Sequence, residues 1–491
     1  MKEIILTTIN AKWIHPSLAL RLLKANLGGL EDRCKIVEFA LRQPLEEKLE
    51  PFMANVRPLI LGISVSIWNH TATLEFLREL YNVWQRKPHT AAPAVHPLQA
   101  HNEADTGKYP KAGTFVVLGG PEVSHLPHDA EIFRYADYVI CGEVEISFRE
   151  LCEDIFAGKD SPKFIRAHEV DVSQIKSAYH LYTDEDIAKK LIYVEGSRGC
   201  IFNCEFCMSA VKPGGGSPVR EFNINLFLSQ MEKLINRGVK TFKFLDRTFN
   251  INIKRARQIM EFFLGKIEER IKQGNQPFVV HFEMAASLFP HAILETITRF
   301  PPGSLRLEIG IQTLNTEAAA RINRLSNPAK ELETLYYLRK NTHAIIHADL
   351  IAGLPGETLD SFGRGFDALR EAVCGAESIA TNAEIQVGIL KLLPGTPIAR
   401  HNNEFSMRYN PMPPYEVLET SAMNAQDVAR IKNFARFWEI IINRRLIPGL
   451  GLKFKEFMEL SDSLYTHFGQ NWGIDKEALR EQIVRRLSTR H

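Results

Sequence analysis

The chain has 491 residues, 45% of them hydrophobic and 24% charged, with a formal net charge of +2. That is ordinary globular composition with room for two or three domains, and so balanced a charge gives no reason to expect nucleic acid or a membrane surface as partner. No apolar run approaches the ~18 residues of a spanning helix, and the apolar start, interrupted by Glu3 and Asn10, is too short and polar for a secretion signal. A cytoplasmic setting with reduced cysteines is therefore expected.

The first part, 1–155, alternates short apolar runs with helical patterns. Ile4–Ile9, Lys35–Phe39, Leu59–Ser66, Thr114–Leu118 and Tyr138–Cys141 read as strands. Helices are expected near Ser17–Leu27, Leu74–Trp84 and Ser147–Ile155. Such alternation predicts a doubly wound parallel sheet covered on both faces, with any ligand at the carboxyl ends of the strands. Asn10, Ser64, Ser66, Gly119, Gly120, Gly142 and Glu143 fall there, and small residues let a bulky ligand approach the backbone. Within this part, 86–113 breaks the pattern with Pro88, Pro93, Pro97 and Pro110. His89, His96 and His101 lack ligand spacing, so the stretch reads as an insertion loop.

Residues 156–190 read as a linker. A second alternating series fills 191–400: Leu191–Glu195, Thr241–Leu245, Phe278–Glu283, Leu305–Ile309, Ile346–Leu350 and Glu384–Lys391 read as strands with helical patterns between them. Six βα units predict a partial TIM-like (βα)6 barrel, with function on the loops that follow the strands. From 401 to 491 the pattern is mostly helical, opened by Pro411, Pro413 and Pro414 and interrupted at Pro448, Gly449 and Gly451.

The most informative stretch is GCIFNCEFC, with Cys200, Cys204 and Cys207 directly after the first strand of the second series. Soft thiolates select iron–sulfur clusters, zinc or Cu(I). A closed structural site takes four ligands, so three leave a metal position for something that is not protein. Two blander readings compete: a buried cysteine stripe on a helix, against which Gly199 and Asn203 argue, and zinc completed by a distant histidine. Cys34, Cys141, Cys152 and Cys374 stand outside the constellation and read as core cysteines.

With its position in a six-unit barrel, this loop resembles the radical S-adenosylmethionine enzymes. The resemblance implies that Cys200, Cys204 and Cys207 hold a 4Fe–4S cluster whose fourth iron is chelated by S-adenosylmethionine, with Phe206 beside the adenine. It implies further cofactor contacts from Glu283, from Glu308 and Gln312 in EIGIQ, and from Gly353 in DLIAGLPGET. In LDRTFN, Leu245–Asn250, Arg247 replaces a second acid carried by many relatives. The first domain resembles the cobalamin-binding fold that precedes the barrel in one large subclass, with Ser64 and Ser66 on the strand that lines the nucleotide tail, Gly119 and Gly120 beside it, and Gly142 and Glu143 in the last loop. It departs from that fold in lacking the D-x-H-x-x-G motif. NAKWIHPS stands there instead, and His15 reads as structural rather than as a cobalt ligand. Together with the helical C-terminal part, the chain is similar to cobalamin-type radical enzymes of this three-part organisation. The implied activity is generation of a 5′-deoxyadenosyl radical and methylation of an unactivated carbon of an unidentified substrate, with a flavodoxin or ferredoxin as electron donor. Radical chemistry without cobalamin, cyclisation or rearrangement, a non-catalytic iron–sulfur or corrinoid sensor, and a zinc-stabilised module stay open at this point.

Overall fold

Six of the seven residues of β1 (Ile4–Asn10) are buried, the pattern of a strand covered on both faces. In the computed structural model, which describes residues 2–53, 57–86, 113–211, 217–375, 382–447 and 449–488, β1 is internal to a six-stranded sheet. The other strands are β2 (Cys34–Ala40), β3 (Ile60–Ser64), β4 (Phe115–Gly119), β5 (Tyr138–Cys141) and β6 (Phe164–Arg166), in the order β2–β1–β3–β4–β5–β6. Every pairing is parallel. The order reverses direction between β1 and β3, which makes their carboxyl ends the topological switch point. Successive β1 side chains feed opposite cores: Ile5 and Ile9 pack with Phe52, Phe76 and Trp84, while Ile4 and Leu6 pack with Phe148, Leu151 and Ile155. The segment read as a linker supplies β6. The prolines and histidines of the expected insertion, and Pro448, lie outside the described residues.

This sheet belongs to a compact unit made of residues 1–194 and 220–239. The unit also holds β7 (Ile192–Val194), where the first barrel strand was expected, and the helix Ile224–Asn236. That helix starts at Asn223, whose side chain accepts from the Leu226 amide at 3.1 Å, an N-cap of the preferred kind.

The second unit comprises 195–219 and 240–491. It opens with β8 (Ser197–Cys200), paired with β9 (Ser217–Glu221), whose first three residues lie in this unit. Then come β10 (Thr241–Phe244), β11 (Val279–Met284), β12 (Leu305–Gln312), β13 (Ile345–Ala352) and β14 (Ala383–Ile389), parallel and neighbouring in sequence order. Helices Ile253–Lys272, His291–Thr298, Pro328–Asn341 and Leu359–Cys374 connect them. Along β12 and β13 burial alternates residue by residue, which separates an apolar face from a polar one. On β12 the apolar face is Leu305, Leu307, Ile309 and Ile311, leaving Arg306, Glu308, Gly310 and Gln312 on the other. The C-terminal part is helical, with Ala425–Trp438, Phe454–Phe468 and Lys476–Ser488. Phe366 anchors it to the preceding helix through edge contacts with Phe434 and Trp438. Among the described residues no helix is long and apolar enough to cross a membrane.

Candidate metal and cofactor site

β8 delivers the chain to Cys200 through Gly199, whose φ is +103° and where a Cβ would run into the Pro218 carbonyl oxygen. Only glycine suits that position. Just upstream, the buried carboxylate of Asp246 accepts from the Gly196 amide at 2.9 Å and from Ser197 Oγ at 2.6 Å. Burial pushes this carboxyl up to about 6, against those same hydrogen bonds. The loop's middle is fastened by Glu205, 7% exposed. Its oxygens accept from Arg400 Nε at 2.9 Å and Nη2 at 2.7 Å, and one lies 3.0 Å from His401 Nε2. Its backbone is held as well, the amide donating to Ile322 O at 3.0 Å and the carbonyl accepting from Ile398 N at 3.1 Å.

All three cysteines are free thiols. Cys200 Sγ lies 3.8 Å from Thr248 Oγ1. Cys204 Sγ accepts from Arg324 Nη1 at 3.8 Å, and Cys207 Sγ from the Ser209 amide at 3.5 Å. Burial pushes the Cys204 thiol up; Arg324 opposes the rise, and Cys207 and Cys200 are close enough for their charge to add to it. Yet among the described residues no three histidine, cysteine or carboxylate side chains converge on a single-ion site. Three neighbouring thiols match the donor set of a cluster that takes one thiolate per iron and leaves one iron to another ligand, whereas a closed tetrahedral zinc site wants a fourth donor. Phe206 packs against the apolar cluster of Ile322, Leu354, Leu390 and Ile398.

The polar face of the parallel strands gathers the expected carboxylates. Glu283 stands opposite Glu308, Glu308 opposite His347, and Asp349 opposite Gly310. Glu308 lies 3.1 Å from both Lys243 Nζ and His281 Nε2; against the upward push of burial, these partners hold it down to about 2. Glu283 is raised to about 7 by burial, with the neighbouring Glu308 adding to the rise. Asp349 is raised to about 8 by burial, then by Glu308 and Glu283. One ionised acid is therefore flanked by Asp349, mostly protonated near pH 7, and by Glu283, poised at its midpoint there, a pattern that separates charge-pairing from proton-donating roles. Gln312 ends β12 with φ +68° at an irregularity in the pairing with β13, and its side-chain amide fills the space over Gly310. Gly353 follows β13 and abuts Val417. In the loop after β10, Asn250 is fully buried and bridges to Ala285 and Leu288, while Phe249 stacks on Phe282 at 3.9 Å.

The first unit has its own polar edge at the switch point. Ser64 stands opposite Thr8 on β1 and Gly119 on β4. Gly120 has φ +106° and leaves room for no Cβ, which would sit 2.5 Å from Val65 O and 3.2 Å from Ser64 Oγ. Ser124 Oγ donates to Gly120 O at 2.9 Å and accepts from Gly142 N at 3.3 Å. Ser64, Gly119, Gly120 and Gly142 are thus brought together, and Ser66 joins them through Asn69. Asn69, fully buried, accepts from Ser66 N at 2.8 Å and donates to Ile9 O at 2.9 Å and Thr8 Oγ1 at 3.2 Å. His15 Nδ1 lies 2.7 Å from Tyr193 Oη.

Residues 194–368 match the family described as the Radical SAM superfamily. The chain carries a radical SAM domain. The match takes in the three cysteines and the strands bearing Glu283, Glu308 and Asp349, and the superfamily implies a 4Fe–4S cluster and S-adenosylmethionine. Among curated sequences, the chain is 26% identical over 281 residues to the uncharacterized methyltransferase PH0819 of Pyrococcus horikoshii, covering 53% of this chain and 58% of that one. It is 25% identical over 286 residues to the bacteriochlorophyllide d C-12(1)-methyltransferase of Chlorobaculum tepidum, covering 56% and 59%. The chain thus spans less than two thirds of the length of these relatives. Among solved structures, the cobalamin-dependent S-adenosylmethionine radical enzyme OxsB superposes with a TM-score of 0.63 over 99% of this chain and 75% of that one, at 14% identity. The radical S-adenosylmethionine methyltransferase TsrM from Kitasatospora setae superposes with 0.57 over 81% and 74%, at 16% identity. At such identities the likeness is one of fold, and it extends beyond the radical SAM domain to the N-terminal sheet. Arg324, Glu205 and Asn69 were not singled out by sequence reasoning. A Ser66-x-x-Asn69 turn pattern was the one local signal for any of them.

Proposed function

We propose that the chain is a cobalamin-dependent radical SAM methyltransferase acting on an unactivated carbon of an organic substrate. The observation that carries this reading is the loop of three neighbouring thiols that begins at the end of β8, in a radical SAM domain whose parallel sheet carries a row of acids. Bound together, the cluster, S-adenosylmethionine and methylcobalamin supply one-electron cleavage of a sulfonium, hydrogen abstraction and a methyl donor. This chain's residues do the rest. Cys200, Cys204 and Cys207 hold three irons; Glu205, through Arg400 and His401, keeps their loop in register. Phe206, Glu283, Glu308, Gln312 and Gly353 bind and orient S-adenosylmethionine. Glu308, ionised, pairs with Lys243 and His281, while protonated Asp349, and Glu283 in its protonated form, offer protons for hydrogen bonds.

Cobalamin is supported by the N-terminal edge and by its match in fold. Ser64, Ser66, Gly119, Gly120 and Gly142 present a bare backbone rim suited to a polar nucleotide tail. Trp68, 54% exposed, stands at the tip of the Ser66–Asn69 turn beside the switch point and offers an apolar face to a flat macrocycle. His15 and His70 are engaged by Tyr193 Oη at 2.7 Å and Glu122 at 2.8 Å, so neither would be offered as a ligand to a corrinoid. A flavodoxin- or ferredoxin-class donor supplies the electron, and the cobalamin-binding segment runs past 155 to include β6, ahead of the radical SAM segment and a helical C-terminal segment from 401.

Cys204→Ala tests the cluster: after anaerobic reconstitution it is expected to lose the 4Fe–4S electron paramagnetic resonance signal and all 5′-deoxyadenosine formation. Retention of the full signal refutes the assignment. Full-length protein incubated with hydroxocobalamin is expected to retain one corrinoid per chain through desalting, with a cob(II)alamin spectrum free of imidazole-nitrogen splitting. Absence of corrinoid absorption refutes that half of the reading.

A further inference from the structure

The helix Thr316–Arg321 ends at Asn323, whose φ is +53°, the left-handed stop that asparagine tolerates. The Arg324 amide closes the turn on Ala319 O at 2.9 Å. The reversal aims the Arg324 side chain at two targets far apart in sequence. Its Nη1 donates to Cys204 Sγ at 3.8 Å. Its Nε donates to Ile311 O at 3.2 Å, and its Nη2 to Gly310 O. Gly310 and Ile311 are the residues at which the β12–β13 register shifts, so the guanidinium serves carbonyls at the irregularity that turns Gln312 into its left-handed conformation. One planar cation, with donors in a fixed fork, thereby joins a cluster thiolate to the strand end that carries a cofactor contact.

We propose that Arg324 is a positioning residue that raises the reduction potential of the cluster and holds the Gln312 strand end against it. The inference rests on the cluster reading above. Reduction places one electron, and one unit of negative charge, on the cluster; the electron comes from the low-potential donor named there, and no bond is made or broken in the protein. A cation and an N–H···S bond at one ligating sulfur stabilise that added charge. Lysine in its place keeps the charge but cannot serve the sulfur and both carbonyls as one rigid fork.

The test is a redox titration followed by electron paramagnetic resonance on the reconstituted full chain, native, R324Q and R324K, with iron counted in each. In R324Q the midpoint is expected to move negative by about tenfold in the reduction equilibrium, ~59 mV for one electron; in R324K it moves the same way by less. An unchanged midpoint in R324Q at native iron content overturns the proposal. If R324Q holds less iron than native, R324K decides, and its unchanged midpoint overturns it equally. Loss of iron from both variants also overturns it, since Arg324 would then serve assembly and not tuning. A native chain with no 4Fe–4S signal at all refutes the cluster reading itself, a result distinct from these.

Discussion

Asn69→Ala should damage the first unit in a way that can be worked out from four distances. The wild-type amide accepts from Ser66 N at 2.8 Å and donates to Ile9 O at 2.9 Å, to Thr8 Oγ1 at 3.2 Å and more weakly to Ser64 O at 3.4 Å. Asn69 is fully buried, and Ser66 and Ile9 are nearly so, so water cannot replace the lost partner without opening the switch point. The two short bonds contribute about 1 kcal/mol each, and leaving their buried partners unsatisfied costs roughly 1–3 kcal/mol more. The expected loss is about 3–5 kcal/mol, which for a unit of this size lowers its melting transition by roughly 6–20 °C. Asn69→Asp should be at least as harmful, because it sets a carboxylate oxygen against the Ile9 and Ser64 carbonyls. Differential scanning calorimetry of the full chain reads the shift, and corrinoid uptake should fall with it while iron content stays native. A shift below about 2 °C in both variants would show that the Asn69 hub does not hold the edge together.

Three further outcomes follow from the second unit. Asp349 is raised from an ordinary 3.8 to about 8, so its contribution to stability is complete below 3.8 and is lost as pH rises through about 8. The urea midpoint of the apo protein should fall between pH 5 and pH 9, and fall less in Asp349→Asn; parallel curves would contradict this. Gly199→Ala forces a side chain into a left-handed backbone against the Pro218 carbonyl, a strain of roughly 1–3 kcal/mol from the backbone alone, and iron per chain should drop well below native when assayed after reconstitution. Glu205→Ala should cost about 2 kcal/mol by leaving buried His401 without its carboxylate, whereas Arg400→Ala, at a side chain 62% exposed, should cost under ~1 kcal/mol. Equal losses in the two, measured by thermal scanning, would mean that the cysteine loop is not held from its buried side.

What the sequence made legible is what repeats or clusters locally. Strand positions emerged because a parallel strand covered on both faces is rich in apolar residues, and Ile4, Ile5, Leu6 and Ile9 supply them in β1. The cysteine loop emerged because three ligands in eight positions are a local pattern. The acids of β11 and β12 were reachable through their strands, since period-two alternation fixes which side chains share a face. Their charge states were not, because Glu308 is held ionised by Lys243, 65 residues away, and the neutrality of Asp349 comes from burial and from the carboxylates on the neighbouring strands.

Arg324, Glu205 and Asn69 were illegible for the same physical reason. Their meaning lies in partners 120, 195 and 60 residues distant, and a single arginine between a helix end and a polar loop has no periodicity to betray it. The three have a common task. Each uses a side chain to hold backbone in conformations that regular structure would reject: the turn after β3, the cluster loop, and the irregularity at the end of β12. Sites of this kind need irregular backbone, because ladder-paired strands leave no free groups for a ligand. The side chains that secure such backbone must then come from wherever the fold brings them, so the residues most needed to keep the site in shape are those whose sequence neighbours say least about them.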